Sequence, residues 1–393
     1  GNAIPVPDVN IALLNAYFAQ QQSTILGLLD VMSGGAFSNA TIFALSIQPY
    51  INASIIIQLL CIAIPSLERL SKEGGEEGRK KIASITRYAT VAIGLIQGFA
   101  YYMLIMNNNM LNADAQGIWS AIVIILTFTS GSALIMWLGE QITEFGIGNG
   151  ISMILFASII SRLPTSLITT VRNITAGKLQ WWLAVLMLIG AIAMIVLIVY
   201  VNDAERRIPV QYAKRVVGRK MYGGQSTHLP MKVNMSGVMP IIFAQSIASV
   251  PATFAAFAGK TDGWVNTWFA NNSIPYAIIY FLLIIFFAYF YSTIQFNPVE
   301  VANNLKKNGG YIPGFRPGKP TSDFLTRTLN KITLMGAIFL AAVAVLPIIL
   351  GNLTGMSIQL GGTSLLIVVG VALDTTRSLD SFMTMRNHKG FLG

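Results

Sequence analysis

The sequence predicts an all-α fold, a polytopic bundle of helices that crosses a membrane many times, and three observations support this class. Only 11% of the 393 residues are charged and 54% are apolar, whereas a soluble domain carries about 25% charged residues. The charged residues are also segregated, so that long stretches contain no Asp, Glu, Lys or Arg. Because backbone groups in lipid need internal hydrogen bonds, uncharged stretches of about 20 residues are expected to be helices.

Nine such stretches are predicted to span the membrane. The uncharged stretch 332–373 is long enough for two of them, and we divide it at its glycines, which favour turns. The predicted span 149–163 is short. The spans are 46–65, 86–106, 117–139, 149–163, 183–202, 237–257, 275–296, 332–350 and 363–379.

Basic residues orient these spans. The connecting segments on one side are 66–87, 140–148, 203–236, 297–331 and the C-terminal tail. Of the 26 lysines and arginines, the opposite side carries only Arg162, Arg172, Lys178 and Lys260. The positive-inside rule therefore predicts that the first set and the C-terminus are cytoplasmic. Nine spans then place Gly1 outside, and we expect a further helix before it in the intact protein.

A short apolar segment precedes the first span. It is long enough for about three helical turns at ~1.5 Å per residue, but too short to cross a bilayer. Gly34 and Gly35 are predicted to end it. A short outer helix joined to a span by glycines is either a re-entrant plug or a helix lying on the membrane surface, and the residues alone favour the surface helix. The segment consists of Ser23, Thr24, Ile25, Leu26, Gly27, Leu28, Leu29, Asp30, Val31, Met32 and Ser33.

A six-residue pattern occurs twice. The pattern Ile-Phe-Ala-x-Ser-Ile begins at Ile42 and again at Ile242. The charge rule makes the two associated spans run in opposite directions, which suggests an inverted repeat. Coincidence remains the alternative, because these residues are common in membrane helices.

Residues that would support catalysis or ion coupling are missing from the spans. The sequence has no nucleophile elbow or P-loop, and neither His228 nor His388 has metal-ligand spacing around it, so no metal or cofactor is expected. Ion-coupled transporters place charged side chains at mid-membrane depth. The predicted spans instead offer hydroxyls and amides, which would also suit ordinary hydrogen bonds between helices: Ser54, Gln58, Gln97, Ser132, Gln245 and Ser246.

A set of motifs distributed along the whole chain resembles the SecY family of protein-conducting channels. The motifs are Ala3-Ile-Pro-Val-Pro7, Ser33-Gly-Gly-Ala36, Pro49-Tyr-Ile-Asn-Ala-Ser-Ile-Ile-Ile-Gln58, Trp137-Leu-Gly-Glu-Gln-Ile-Thr143, Gly146-Ile-Gly-Asn-Gly-Ile-Ser152, Gln211-Tyr-Ala-Lys-Arg215, Gln225-Ser-Thr-His-Leu-Pro230, Lys232-Val-Asn234, Pro313-Gly-Phe-Arg-Pro-Gly318 and Gly361-Gly-Thr-Ser-Leu-Leu-Ile367. The family has one more spanning helix before the first of these motifs, which agrees with the topology above.

The resemblance implies a channel without enzymatic activity, which passes unfolded secretory polypeptides across the membrane and releases apolar segments into lipid. It implies two pseudo-symmetric inverted halves, residues 1–202 and 203–393, that form an hourglass pore. A ring of aliphatic side chains would close the pore, and residues 23–35 would be the plug. Carried over by motif, the ring consists of Ile47, Ile51, Ile151, Leu155, Ile242 and Ile367. Ordinary helix packing is the alternative for each of these residues.

The resemblance also assigns the sides of the pore and the cytoplasmic loops. Spans 46–65 and 86–106 would face 237–257 and 275–296 across a lateral gate containing Ser54, Gln58, Gln97, Gln245 and Ser246. The basic loops would dock the SecA motor ATPase or the ribosome, although such loops are also ordinary topology signals. Their residues are Arg206, Arg207, Lys214, Arg215, Arg219, Lys220 and Arg316.

The other partners that the resemblance implies are SecE-type and SecG-type small membrane subunits, signal peptides, unfolded preproteins and membrane lipid, in a bacterial plasma membrane. A small-molecule secondary transporter is the second hypothesis, and the lack of charge in the interiors of the predicted spans argues against it. A membrane-embedded enzyme is the third, and the sequence offers it no catalytic constellation.

Overall fold

The chain forms a helical bundle with two small sheets in the computed structural model. The structure describes residues 3–20, 25–72, 74–112, 117–177, 180–212, 215–217, 220–222, 226–235, 237–257, 268, 273–354 and 362–389.

The first part of the chain is helical. Its helices are α1 (Ile11–Gln20), α2 (Ile25–Met32), α3 (Gln48–Ala63), α4 (Pro65–Lys72), α5 (Gly75–Asn107), α6 (Ile118–Phe145), α7 (Gly150–Ser161), α8 (Leu163–Thr175) and α9 (Trp181–Asp203).

The second part of the chain contains strands as well as helices. The strands are β1 (Glu205–Tyr212), β2 (Arg215–Val217), β3 (Lys220–Tyr222), β4 (Ser226–Lys232) and β5 (Gly310–Tyr311). The helices are α10 (Met239–Phe257), α11 (Ile274–Gln295), α12 (Pro298–Lys307), α13 (Lys319–Thr354) and α14 (Gly362–Lys389).

Each of the nine predicted spans coincides with a helix. Among the described residues, six helices or helix pairs are long and apolar enough to cross a membrane, or seven if α3 and α4, bent by 106°, count as one span. The apolar part of α10 is only Met239–Thr253, and α14 carries Asp374 and Arg377. The six are α5, α6, α7 with α8, α9, α11 with α12, and α13.

Several predicted boundaries were wrong because hydropathy marks only the lipid-facing part of a helix. Helix α5 begins at Gly75, and α13 begins at Lys319, each well inside a predicted cytoplasmic loop. Their charged first turns stay in water while the same hydrogen-bonding pattern continues into the apolar part. The predicted short span 149–163 continues through a break at Arg162 and ends at Thr175.

The predicted loop 203–236 contains most of the strands. Strand β1 pairs with β4 on one side and with β5 on the other, both antiparallel. Ile208 and Val210 are buried in β1 while their neighbours are exposed, which is the alternation expected for a half-buried strand. Because β5 belongs to segment 297–331, this sheet joins the two segments that were predicted to be cytoplasmic.

Three clusters of buried apolar residues hold the fold together. The largest contains residues of α2, α3, α6, α7, α9, α10, α11, α13 and α14. A second lies around α1, α5 and α6, and a third joins the three-stranded sheet to α12 and α13. Helix α10 packs against α2, α3 and α5, and α14 packs against α7 and α9. The first and last parts of the chain therefore share one apolar centre.

Candidate pore, plug and lateral gate

The six predicted ring residues come together in the largest buried cluster. Five of them are almost fully buried, and Ile151 is partly buried and packs against the others. They come from four parts of the chain, namely the start of α3, α7, α10 and α14. The cluster also contains many other apolar residues. The structure thus brings the six into one apolar centre, whereas their role as a seal stays a prediction.

The position of α7 depends on a close helix contact. A Cβ atom on Gly150 would lie 1.9 Å from the backbone oxygen of Gly139 on α6, so no larger residue fits there without moving a backbone. The Gly150 N–H donates to Thr143 Oγ1 at 2.9 Å, and Asn149 Oδ1 accepts from Ile151 N at 3.0 Å and caps the helix. These contacts fix the start of α7 and so the direction in which its ring residues point.

The predicted plug segment is a helix inside the protein and not on its surface. Leu26 and Met32 are 2% and 3% exposed, and they belong to two different apolar clusters. Gly34 and Gly35 follow with φ of +66° and +87°, a backbone conformation that glycine adopts readily. The prediction that these glycines end the helix is therefore confirmed. Ser23 and Thr24 lie outside the described residues.

The sulfur of Met32 contacts both sides of the predicted gate. It accepts a hydrogen bond from Gln48 Nε2 of α3 at 3.3 Å and another from Gln245 Nε2 of α10 at 3.4 Å. Gln245 Oε1 and Ser246 Oγ are buried without a hydrogen-bond partner in the described chain. The end of α2 thus lies where α3 and α10 meet.

A second hydrogen bond joins α3 to α11. Tyr291 O–H donates to Gln58 Oε1 at 2.7 Å, and Gln58 Nε2 donates to Ser54 Oγ at 3.1 Å. The sequence prediction included the amide and the serine but missed the tyrosine. Its only signal was a hydroxyl-bearing aromatic in an apolar span, where a buried Tyr O–H needs a partner.

A small cavity of about 60 Å³ lies between α2, α3, α5 and α10. Its lining combines apolar groups with hydroxyls and amides, among them Gln48, Asn52, Gln97 and Ser249. Gln97, the remaining predicted gate residue, is therefore a cavity residue.

The described docking residues predicted from the sequence lie on β1, β2, β3 and the turn that contains Arg316. Arg206 and Arg207 are exposed on β1, and Arg207 Nε donates to Glu205 Oε1 at 2.7 Å. Arg316 is exposed, and its backbone oxygen accepts from Thr321 Oγ1 at 2.8 Å. Lys214 and Arg219 lie outside the described residues, and only the backbone positions of Arg215 and Lys220 on β2 and β3 are described.

Across the part of the chain that the structure describes, no group of three or more His, Cys, Asp or Glu side chains could hold a metal ion. The site has an apolar centre, a short helix seated against it and a polar seam between helices. This arrangement defines the class of protein as a multi-pass helical membrane protein built around a buried apolar centre.

Comparisons with known proteins then identify the family. The SecY family model matches residues 41–376. A protein translocase subunit SecY from Streptomyces coelicolor is 42% identical over 411 residues, covering 100% of this chain and 93% of the relative. The corresponding subunit from Bacillus licheniformis is 44% identical over 404 residues, with the same coverage of 100% and 93%. The chain belongs to the SecY family.

Solved structures support the fold. One described as the structure of a protein conducting channel has a TM-score of 0.66 and 19% identity, covering 96% of this chain and 93% of the other. A second, described by a SecY plug domain that stabilises the closed state and maintains a membrane seal, has a TM-score of 0.59, 18% identity and the same coverage of 96% and 93%. A third, canine Sec61 in a ribosome-channel complex, has a TM-score of 0.62 and 17% identity, covering 96% and 93%. At these identities the likeness concerns the fold.

Proposed function

We propose that this chain is a protein-conducting channel, which passes unfolded secretory polypeptides across the membrane and releases transmembrane segments laterally into lipid. One observation carries the proposal: Ile47, Ile51, Ile151, Leu155, Ile242 and Ile367 lie in one apolar cluster against which the end of the plug helix packs. An apolar constriction excludes water and ions by dewetting. It also offers no fixed polar partner that would retain a passing chain.

The alternative of a small-molecule secondary transporter is not favoured. Such proteins carry ionisable groups at the substrate site, whereas the buried polar side chains in the described part of this chain are serines, threonines, an asparagine and a glutamine. The chemistry of a channel needs no catalytic group, and we propose that the chain itself is not an enzyme. The energy for directional movement would then come from a partner.

The proposed channel consists of two halves, residues 1–202 and 203–393. Their faces would part at a lateral gate between α3 and α5 on one side and α10 and α11 on the other. The hydrogen bond from Tyr291 to Gln58 and the two amides around Met32 cross that boundary. An apolar signal segment would bind beside these residues, where the helices leave a small cavity of about 60 Å³, and replace contacts that hold the gate closed.

The proposed partners follow from the exposed basic surface and the family. Arginines on β1 and Arg316 lie in loops that one sheet joins, and such a surface suits the SecA motor ATPase or ribosomal RNA. Relatives include Sec61 in a ribosome-channel complex. SecE-type and SecG-type subunits are the proposed membrane partners. The proposed location is the bacterial plasma membrane, and the positive-inside rule supports a cytoplasmic C-terminus.

Translocation into proteoliposomes tests the function. Vesicles would contain this chain with SecE-type and SecG-type subunits, and would be given the motor ATPase, ATP and a preprotein with a signal peptide. We expect the preprotein to become protected from external protease, only when ATP and the signal peptide are both present. Solute uptake coupled to an ion gradient, with no protected preprotein, would instead support a transporter.

A further inference from the structure

The plug helix carries one acidic residue, Asp30, and the side chain of this residue makes two contacts. Asp30 lies in the last turn of α2 and its side chain is 15% exposed. Its Oδ1 accepts a hydrogen bond from Ser38 N at 2.8 Å, and its Oδ2 is paired with the guanidinium of Arg162. The first contact is local and fixes the turn after the plug. The second connects residues 132 positions apart in sequence and fixes the helix to another part of the bundle.

Arg162 is placed at the joint between α7 and α8. The helix breaks at this residue, and Leu163 and Pro164 begin α8. At ~1.5 Å per residue, Arg162 lies roughly 18 Å along the helix from its start at Gly150, on the outer side in the predicted topology. Its side chain is 26% exposed, and Nε is buried without a hydrogen-bond partner in the described chain.

The backbone after the plug leaves space for this arginine. A Cβ atom on Gly35 would lie 2.7 Å from Arg162 Nη2 and 2.8 Å from Cζ. The guanidinium therefore packs against a residue that has no side chain, beside its carboxylate partner. Within the described residues, Asp30 is the only acidic side chain within ion-pair distance of Arg162. Movement of α2 away from its seat would separate two partly buried opposite charges, which costs free energy unless another partner replaces the lost one.

We propose that the Asp30–Arg162 pair is a specificity determinant of the channel, which sets how strongly a signal peptide has to bind before the plug leaves. This inference rests on the proposed function. A signal peptide shifts the closed and open states only by its difference in affinity between them. A strong pair restricts opening to long apolar signals, and loss of the pair lets short or less apolar signals suffice.

Arg162 is thus a positioning residue that acts through the plug and does not touch the polypeptide. Because both side chains are partly exposed, solvent weakens their attraction. We expect loss of the pair to raise the open-to-closed ratio of the plug about tenfold.

A double-mutant cycle tests the proposal. The variants are Arg162→Gln, Asp30→Asn and the double variant, and Asp30→Asn keeps an oxygen that accepts from Ser38. Arg162→Lys keeps the positive charge as the conservative variant. Arg172→Gln on α8 is the matched control, because it removes the same charge from an exposed position on the same outer side.

Each variant is expressed as the full chain with its membrane subunits, and export is measured for two reporters, one with an intact signal peptide and one with a shortened apolar core. We expect each single variant to raise export of the shortened-core reporter about tenfold relative to wild type. The double variant should add no more, because both changes remove one interaction. Arg162→Lys should remain near wild type, as should Arg172→Gln.

The outcomes separate this inference from the proposed function. If the wild-type chain exports neither reporter, the proposed function fails. If wild type exports the intact reporter, and Arg162→Gln and Asp30→Asn export the shortened-core reporter no better than wild type at normal membrane abundance, the pair does not set specificity. Additive effects of Asp30→Asn and Arg162→Gln would also refute it, since independent effects mean that the residues do not act together. If Arg162→Gln has low abundance, Asp30→Asn carries the test, because it removes the same ion pair and keeps an oxygen that accepts from Ser38.

Discussion

Removal of a single hydroxyl group at the gate gives a measurable change in lateral release. Tyr291→Phe deletes the O–H that donates to Gln58 at 2.7 Å and keeps the ring, which packs against Phe243 with centroids 5.2 Å apart. Gln58 also keeps its bond to Ser54, so only one hydrogen bond is lost. Such bonds contribute about 0.6 kcal/mol on average in membrane proteins and about 0.5–1.5 kcal/mol in general.

The expected loss of free energy can be expressed as a change in the number of leucines that a segment needs for release into lipid. A change of about 0.6–1.5 kcal/mol favours the open gate about three- to twelvefold. A leucine at the centre of a segment favours insertion by up to about 0.6 kcal/mol. We therefore expect Tyr291→Phe to lower the number of leucines needed for half-maximal release into lipid by about one to two.

A series of test segments with increasing leucine content provides the assay, in which membrane-integrated and translocated products are separated by protease accessibility. Tyr289→Phe is the control, because Tyr289 lies on the same helix and donates to the backbone oxygen of Asn330 on α13, within the same half of the chain. An unchanged midpoint for Tyr291→Phe, or an equal shift for Tyr289→Phe, would refute the assignment of this bond to the gate.

Two further substitutions test the plug seat and the docking surface. Met32→Leu keeps the apolar volume but removes the sulfur that accepts from Gln48 and Gln245. We expect about fivefold more ion leak through reconstituted channels, from a loss of about 1 kcal/mol. Met103→Leu, at an exposed position on α5, should leave the leak unchanged, and an equal leak from both variants would contradict the role of Met32 in holding the plug. Arg316→Glu reverses a charge on an exposed turn, so we expect it to abolish motor-driven export while the chain still inserts and binds its SecE-type subunit; normal ATP-driven export would exclude the role.

The helical membrane class was readable from the sequence because lipid forces uncharged segments into helices. Helix ends were less readable, since a helix such as α5 continues into water once its apolar part is complete. The strands of segment 203–236 were not predicted, because the alternation of apolar and polar residues around Ile208 and Val210 is short. Helix α1 was also missed, as its ten residues are too few for a span.

The candidate site was also only partly predictable from the sequence. Motifs predicted which aliphatic residues would meet, and the structure brings them into one cluster. The contacts of the plug could not be predicted, because Asp30 and Arg162 are 132 residues apart and no local pattern connects them. Likewise, no local pattern indicates that Tyr291 reaches Gln58.

The central claim is that an apolar ring and the plug packed against it form the seal. Single-channel conductance of the reconstituted channel tests this claim most directly. The decisive variant replaces Ile47, Ile51, Ile151, Leu155, Ile242 and Ile367 with serine, with and without deletion of residues 23–33. Polar walls stay wet, so we expect the resting channel to conduct ions when the ring is replaced, and to conduct more when the plug is also deleted. A serine-substituted channel that stays as ion-tight as wild type would show that these residues are ordinary core packing and that the seal lies elsewhere.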